Sequence, residues 1–217
     1  LFNTQNQSIL RRYSTNIKSS RILNSISSYS KKRRKIIAIL CIAVLYFLLP
    51  AYISNSGGLI FGGGKPLDCG KTDSKGNRWI GNGVTWRGLI GGTILGTIIG
   101  AIQGYFGPSL LTLYGEFITT PIAVGVSNGI LIGFLLAFGA LVGDALGSFL
   151  KRRLGIGRGK PAPILDQLDF LIVALLFASL VVNFSLEFII IAIVLTLIIH
   201  LISNTGAYLL GIKDVWY

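Results

Sequence analysis

Long uncharged runs follow one another from residue 36 onward and are separated by short charged segments. Each run is apolar on all sides, which is typical of a helix surrounded by lipid. A hydrocarbon core about 30 Å thick requires about 20 residues at 1.5 Å per residue. Pro121 is suited to the first turn of the third run and Gly155 to its end. The pattern predicts an all-α integral membrane protein with five transmembrane helices, at residues 36–54, 88–107, 117–150, 170–186 and 188–212.

One face of the second predicted helix carries no side chains. Glycine recurs there at every fourth position. Helices in lipid associate by close packing, so such a ridge predicts a helix-to-helix contact, either within the chain or in a homodimer. The ridge consists of Gly88, Gly92, Gly96, Gly100 and Gly104.

Composition excludes a soluble globular domain. Of the 217 residues, 52% are hydrophobic and only 13% are charged, whereas about a quarter are charged in soluble domains. The two Cys residues form no CxxC motif, which argues against a disulfide framework or a zinc site. Met is absent even at position 1, so we expect the chain to begin downstream of its translation start. We expect no nucleic-acid partner.

Most of the formal net charge of +12 belongs to residues 1–35, which contain nine basic side chains and no acid. This composition is typical of an organelle transit segment or of a disordered arm that contacts anionic headgroups. A non-native extension without function is the alternative. The predicted domains are therefore this tail and a membrane domain at residues 36–217.

Charge also predicts the orientation of the membrane domain. With five spans, the loops at residues 55–87 and 150–169 share one face with the C-terminal tail, and all basic residues after position 35 lie there. Basic loops mark the cytoplasmic side. The cluster Lys31–Lys35, directly before the first span, argues for the opposite orientation. We follow the loops, because a removable tail is weaker evidence.

The end of the third predicted helix carries the first group of candidate residues. An ionisable group inside a span, such as Asp144, indicates a functional site. At helical spacing it shares a face with Ser148, Lys151 and Arg152. A glycine-rich basic loop follows, from Arg153 to Lys160, whose amides and cations are suited to phosphate. The alternative is that these cations only anchor the helix at the headgroups.

Two acids precede the fourth predicted span. Asp166 and Asp169 are three residues apart and share a helix face. Together with Asp144 they are hard oxygen ligands suited to Mg²⁺, which is usually held by one or two carboxylates plus substrate phosphates. The alternative is capping of the helix dipole. With a basic cluster nearby, we favour a metal site.

The first cytoplasmic loop and the last helix supply further candidates. Glycines in the loop permit a ligand to approach the backbone, and its polar side chains are phosphate donors. In the last helix His200 and Asn204 are one turn apart, and substrate contact and an interhelical hydrogen bond are equally consistent with that spacing. The loop candidates are Gly63, Gly64, Asp68, Arg78, Thr85 and Arg87.

Taken in order, these motifs resemble those of the CDP-archaeol synthases, archaeal CTP-dependent cytidylyltransferases related to phosphatidate cytidylyltransferases. The resemblance covers residues 36–217. The Pro-Gly-His-Gly-Gly segment of the acyl-lipid enzymes is absent, and residues 160–165 stand in its place, which favours the archaeal branch. The matching segments are Asn55, Gly63-Gly-Lys-Pro-Leu-Asp68, Gly83-Val-Thr-Trp-Arg-Gly88, Gly143-Asp144, Ser148, Lys151-Arg-Arg153, Asp166-Gln-Leu-Asp169, His200, Asn204 and Lys213.

The resemblance implies that a lipid phosphate oxygen attacks the α-phosphorus of CTP, giving CDP-archaeol and pyrophosphate from 2,3-di-O-geranylgeranylglyceryl phosphate. It implies that Asp144, Asp166 and Asp169 bind Mg²⁺ and that the first loop closes over CTP at the cytoplasmic face of an archaeal cell membrane. An organelle membrane is the alternative if the tail is a transit segment. An acyl-lipid cytidylyltransferase and a transporter or structural subunit are the other functions. The phosphate-binding residues would be Ser148, Lys151, Arg152, Arg153 and Lys160.

Overall fold

The computed structural model describes residues 2–211 except 75, 115–120, 158–159, 161 and 163. For residues 2–26, 114 and 207 it describes the backbone alone. Within this part the fold is all-α, as predicted. The helices are α1 (Phe2–Ile60), α2 (Trp86–Tyr114), α3 (Val126–Arg153), α4 (Leu165–Ala178) and α5 (Leu186–Leu209).

The chain divides into two compact units, Leu1–Leu40 and Cys41–Tyr217. The first unit is the N-terminal part of α1, and the basic side chains at residues 31–35 are exposed on it. The transit-like or headgroup-binding role of the tail stays a prediction. Every contact described below lies within the second unit.

Four helices are long and apolar enough to cross a membrane: Ser27–Ile60 within α1, Trp86–Leu113 within α2, Val126–Arg153 and Leu186–Gly206 within α5. The protein is therefore an integral membrane protein. The predicted fourth helix is present with different bounds: α4 begins before residue 170, ends before residue 186 and has only 14 residues, a length of about 21 Å.

The early end of α4 has a local cause. After Ala178 the backbone tightens, and the amides of Val181 and Val182 both donate to the Ala178 carbonyl, at 3.1 and 3.0 Å. Ser185 then begins α5, its hydroxyl accepting a hydrogen bond from the Phe188 amide at 3.1 Å. Such a serine cap ends one apolar run and begins the next, and hydropathy alone does not detect it.

The two ends of α3 differ in how well they were predicted. The predicted placement of Pro121 in the first turn of α3 is wrong, because Pro121 precedes the helix. The predicted start at residue 117 lies outside the described residues, as do residues 118–120. The predicted end is confirmed. Gly155 has a φ of +73°, its amide donates to Arg152, and the Ile156 amide donates to Lys151, which is the hydrogen-bond pattern of a Schellman motif.

The glycine ridge of α2 is covered within the chain. A Cβ at Gly92 would lie 2.6 Å from the Ser54 carbonyl oxygen of α1, and a Cβ at Gly96 would lie 2.5 Å from the Ala137 Cβ of α3. The other ridge glycines also meet backbone atoms of α1, of α3 or of the residue before α3. The ridge therefore makes the predicted contact within the chain. The alternative prediction, a homodimer contact through this ridge, is wrong because α1 and α3 occupy it.

The core lies between α1, α3, α4 and α5. α2 packs on α3, α3 packs on α4, and α4 packs on α5. Phe47 of α1 meets Phe184 and Phe188 edge-on, with ring centroids 5.7 and 5.5 Å apart. One side of the short helix α4 is thus packed against apolar side chains, and its N-terminal end is held beside the C-terminal end of α3. The buried members are Val44, Phe47, Leu48, Ala51, Leu136, Ala140, Phe170, Leu171, Ala174, Leu175, Ala178, Phe188 and Ala192.

Candidate active site

The first loop, residues 61–85, is organised around the carboxylate of Asp68. Arg78 donates to both carboxylate oxygens, at 2.5 Å from Nη2 and 3.3 Å from Nε. The amides of Gly70, Ile80 and Gly81 donate to it at 2.9 to 3.0 Å. Asp68 is buried, so these bonds replace the water that a carboxylate needs. Asp68 and Arg78 thus hold the first loop together. Their predicted contact with CTP stays a prediction.

The same hydrogen bonds lower the pKa of the Asp68 carboxyl group. Burial alone would raise its pKa, but the hydrogen bonds from Arg78 and from the Gly81, Ile80 and Gly70 amides outweigh burial and hold the pKa well below its usual range. Each of these bonds is made to the charged form. Asp68 is therefore negatively charged in the folded protein at neutral pH.

The remaining first-loop candidates lie at the two ends of the loop. Gly63 and Gly64 both have positive φ values, +96° and +77°, which favour glycine. Thr85 is buried and accepts a hydrogen bond from the Gly88 amide at 3.1 Å, so it caps the start of α2. Arg87 is exposed, and its Cδ would lie 3.3 Å from a Cβ on Gly64. The two ends of the loop therefore meet at the start of α2.

A polar cleft of about 490 Å³ opens between the first loop and the C-terminal end of α3. Ser148, Lys151 and Arg152 line it from α3, as their shared helix face predicted, whereas Asp144, predicted on the same face, does not. Arg152 donates to the carbonyls of Ile80 and Ile156, which joins the loop to the segment after α3. Glycines and polar residues complete the lining: Gly76, Asn77, Arg78, Gly81, Asn82, Gly83, Gly155 and Gly157.

Lys151 also connects α3 with α4. Its Nζ lies 2.8 and 3.0 Å from the two carboxylate oxygens of Asp166. The Ala162 amide donates to the same carboxylate at 2.9 Å. Asp166 therefore stands at the start of α4 in contact with a cation of the cleft.

Asp169 lies where α4 crosses α3. The carboxylate packs directly against Gly147, where a Cβ would overlap it, and Oδ1 accepts a hydrogen bond from the Phe170 amide at 2.6 Å. Burial, and the nearby negative charges of Asp144 and Asp166, raise the pKa of Asp169 to about 7, although the Phe170 amide and Lys151 oppose the shift. Three carboxylates thus lie near enough to repel one another.

Asp144 lines a second, smaller cavity of about 120 Å³. Asn55 of α1 and Thr85 line the same cavity, and Gly83 borders both cavities. Among the residues that the structure describes, neither Asp144 nor Asn55 has a hydrogen bond or an ion pair, and both are half-buried. Two unpaired polar groups that face one cavity are suited to contact a ligand or an ion.

The three acids fit a divalent cation in chemistry, although they do not form a complete cage. No group of three or more His, Cys, Asp or Glu within the described residues is arranged to hold a metal by itself. Mg²⁺ does not require such a cage, since it usually takes one or two carboxylates and completes its shell with water and substrate phosphates. An unpaired Asp144 beside two further carboxylates is consistent with that use.

The other predicted residues lie apart from this group. His200 of α5 packs against Phe170 of α4 with ring centroids 5.5 Å apart, and Asn204 follows one turn later. Lys160 is exposed after the cleft-lining segment. Arg153 forms an ion pair with Asp73 of the first loop, 2.6 Å between Nη1 and Oδ2. Lys213 lies outside the described residues.

Two residues that contact candidate site residues are not identified by the sequence patterns. Asp73 was left out, and nothing local marks it, because its partner Arg153 is 80 positions away. Gly147 was also left out, although it continues a series of glycines in α3, at positions 139 and 143, that packs against α4. The four-residue spacing that marked the ridge of α2 was available there too.

Comparisons with known proteins agree with this architecture. A family model described as CarS-like, CDP-archaeol synthase, matches residues 36–217. The CDP-archaeol synthase of Methanocaldococcus jannaschii is 49% identical over 178 residues, covering 82% of this chain and 98% of the relative. That of Methanothermobacter thermautotrophicus is 52% identical over 174 residues, covering 80% and 92%.

A solved structure of an intramembrane enzyme for archaeal membrane lipids biosynthesis is also similar. It is 34% identical to this chain, with a TM-score of 0.62, and the match covers 74% of this chain and 91% of the other. The membrane helices, the polar cleft and the match over residues 36–217 lead to one assignment. The chain belongs to the CDP-archaeol synthase family of membrane cytidylyltransferases.

Proposed function

We propose that this protein transfers CMP from CTP to 2,3-di-O-geranylgeranylglyceryl phosphate, giving CDP-archaeol and pyrophosphate. The observation that carries the proposal is the polar cleft between the first loop and α3, which brings Ser148, Lys151 and Arg152 together beside the carboxylates at the start of α4. Family membership supports the same reaction.

The cleft has the size and lining expected for a nucleotide. Its volume of about 490 Å³ falls in the usual range for small-molecule sites, about 300 to 1,000 Å³. Glycines on both of its walls let phosphate oxygens approach backbone N–H groups closely. Lys151 and Arg152 line the cleft from α3, whereas Arg78 on the loop side is bonded to Asp68. The triphosphate would therefore lie against α3, and the first loop would cover the nucleoside.

The chemistry requires positioning and charge neutralisation and no covalent intermediate. A phosphate oxygen of the lipid forms a bond to the α-phosphorus of CTP, and the bond from that phosphorus to the bridging oxygen of the pyrophosphate group breaks. Lys151, Arg152 and Lys160 would neutralise the phosphate charge, and the Ser148 hydroxyl would donate a hydrogen bond. Pyrophosphate leaves with the electrons of the broken bond.

Mg²⁺ is the proposed cofactor, held by Asp144, Asp166 and Asp169. When bound, it would neutralise the negative charge of the triphosphate and of the departing pyrophosphate. The pairing of Lys151 with Asp166 is consistent with this arrangement, because a cation that contacts both a carboxylate and the cleft can turn to a phosphate once the carboxylate binds metal.

The lipid chains need not enter the cleft. The outer surfaces of α2 and α5 expose rows of apolar side chains, so the prenyl chains can remain in the bilayer while the headgroup reaches the polar end of α3. We propose that this end faces the cytoplasm of an archaeal cell, in agreement with the basic residues of both loops.

The test is turnover by detergent-purified protein with CTP, Mg²⁺ and either geranylgeranylated glycerol phosphate or phosphatidic acid, followed as pyrophosphate release and CDP-lipid formation. We expect kcat/KM to favour the prenylated ether lipid by on the order of a hundredfold, because its glycerol stereochemistry changes where the phosphate is presented. A chelator should abolish turnover. Equal use of phosphatidic acid would assign the protein to acyl lipids, and failure to consume CTP with either lipid would reject the reaction.

A further inference from the structure

Arg153 contacts the first loop more extensively than it contacts the cleft. Its Nη1 donates to Oδ2 of Asp73 at 2.6 Å. The guanidinium carbon also lies over two aromatic rings, 4.9 Å from the centroid of Phe149 and 5.7 Å from that of Trp79. The two rings contact each other, with centroids 6.2 Å apart. One side chain of α3 thus engages an acid and an aromatic ring of the first loop.

Asp73 is itself the organising residue of a hairpin. Its Oδ1 accepts a hydrogen bond from the Asn77 amide at 2.8 Å. Its backbone amide donates to the Asn77 carbonyl at 2.8 Å, and the Gly76 amide donates to the Asp73 carbonyl at 3.0 Å. One carboxylate oxygen therefore shapes the hairpin, and the other is bonded to α3.

This hairpin forms a wall of the cleft. Gly76, Asn77 and Arg78 line the cleft on the loop side, while Lys151 and Arg152 line it on the α3 side. The ion pair therefore connects the two walls at one edge. The Arg153 side chain is 32% exposed and the Asp73 side chain 19% exposed, so the pair is partly shielded and is screened less than a fully exposed pair.

We propose that Arg153 is a positioning residue, which fastens the hairpin closed by Asp73 and Asn77 to α3 and so fixes the width of the nucleotide cleft. The inference rests on the proposed function in one respect, that the cleft receives CTP. It replaces the direct phosphate contact that the sequence suggested for Arg153. A guanidinium bonded to a carboxylate has part of its charge compensated, and a phosphate brought to the same place would meet Asp73.

The two roles predict opposite effects for Asp73→Asn. If Arg153 positions the hairpin, Asp73→Asn and Arg153→Gln both raise the KM for CTP on the order of tenfold, leave kcat within about twofold, and combine non-additively in the double variant. If Arg153 binds phosphate, Asp73→Asn releases the guanidinium and removes a repelling charge. The KM for CTP would then stay unchanged or fall, and the proposal would be overturned.

Trp79 gives a second measurement that does not depend on turnover. Trp79 directly follows the hairpin and lies against both Phe149 and Arg153, so Asp73→Asn and Arg153→Gln should shift its fluorescence emission to longer wavelength. Its signal is identified by comparison with Trp79→Phe. Arg153→Lys keeps the charge but not the flat contact with the rings, and it should recover CTP affinity better than Arg153→Gln.

Lys71→Gln is the matched control, since it removes one exposed positive charge from the same loop. It should change neither the KM for CTP nor the emission of Trp79. If the wild-type protein does not turn over CTP, the proposed function fails while the emission shift still tests the hairpin contact. Unchanged Trp79 emission in both Asp73→Asn and Arg153→Gln would overturn the inference.

Discussion

Lys151 of α3 bridges both carboxylate oxygens of Asp166 of α4, at 2.8 and 3.0 Å. The contact joins the end of one helix to the start of the next, and it places the cation of the cleft beside the proposed metal ligands. The Lys151 side chain is 14% exposed and that of Asp166 is 37% exposed. The pair is thus protected on the lysine side and open on the carboxylate side, where a competing cation can approach.

Asp166→Asn and Asp169→Asn should each abolish Mg²⁺-dependent turnover while the protein stays folded in detergent. Loss of a metal ligand removes several kcal/mol of transition-state stabilisation, which lowers the rate by about a thousandfold or more. Rates over a Mg²⁺ titration and size-exclusion profiles measure both effects. Glu187→Gln, at an exposed acid in the first turn of α5, is the control and should keep normal rates. Near-normal turnover in both variants would reduce these acids to helix caps.

Gly147→Ala should impair catalysis through Asp169. The added Cβ would overlap the Asp169 carboxylate, so either the carboxylate or α4 must move. Overpacking of this kind costs about 1 to 3 kcal/mol of stability, and a catalytic group displaced by 1 Å costs on the order of a hundredfold in rate. Rates and thermal unfolding in detergent check the two effects. Gly206→Ala, with open space around the new methyl group, should leave both unchanged; normal turnover by Gly147→Ala would show that Asp169 needs no fixed position.

Asp68 should make the stability of the first loop depend on pH. Because its pKa in the folded protein is lowered, its contribution is complete above the unfolded pKa of about 3.9 and is lost as the pH falls from there toward the folded value. Asp68→Asn should lower stability by about 2 to 3 kcal/mol near neutral pH and flatten the acid dependence. Thermal unfolding between about pH 5 and about pH 2 measures this. Parallel curves for wild type and variant would contradict it.

The two native thiols test the orientation. Cys69 is exposed in the first loop, and Cys41 is partly buried in α1 within a candidate span. A membrane-impermeant maleimide should therefore label Cys69 alone, and only when the cytoplasmic face is accessible. Cys69→Ser is the control and should remove the labelling. Rapid labelling of Cys69 from outside intact cells would reverse the orientation and favour the basic cluster at residues 31–35 as the better guide.

Sequence reasoning succeeded where one helix carries the information. Of the four residues that spacing places on one face of α3, Ser148, Lys151 and Arg152 line one cleft, and Asp144 lines the smaller cavity. Sequence reasoning failed where tertiary packing determines the position of an element or a contact. The new helix start after α4 depends on Ser185, a short polar residue inside an apolar stretch that a hydropathy average hides. The meeting of Asp73 with Arg153 depends on how the first loop folds back on α3, and no local pattern encodes it.

The three consecutive basic residues at the end of α3 have three different partners: Asp166, the Ile80 carbonyl and Asp73. Successive residues of an α-helix point about 100° apart, so this distribution depends on the rotational phase of α3. One residue inserted or deleted between Gly147 and Lys151 would turn all three side chains together and exchange their partners. Point substitutions in this segment can be tolerated one at a time, whereas a change in its length would disconnect both loops from the helix at once.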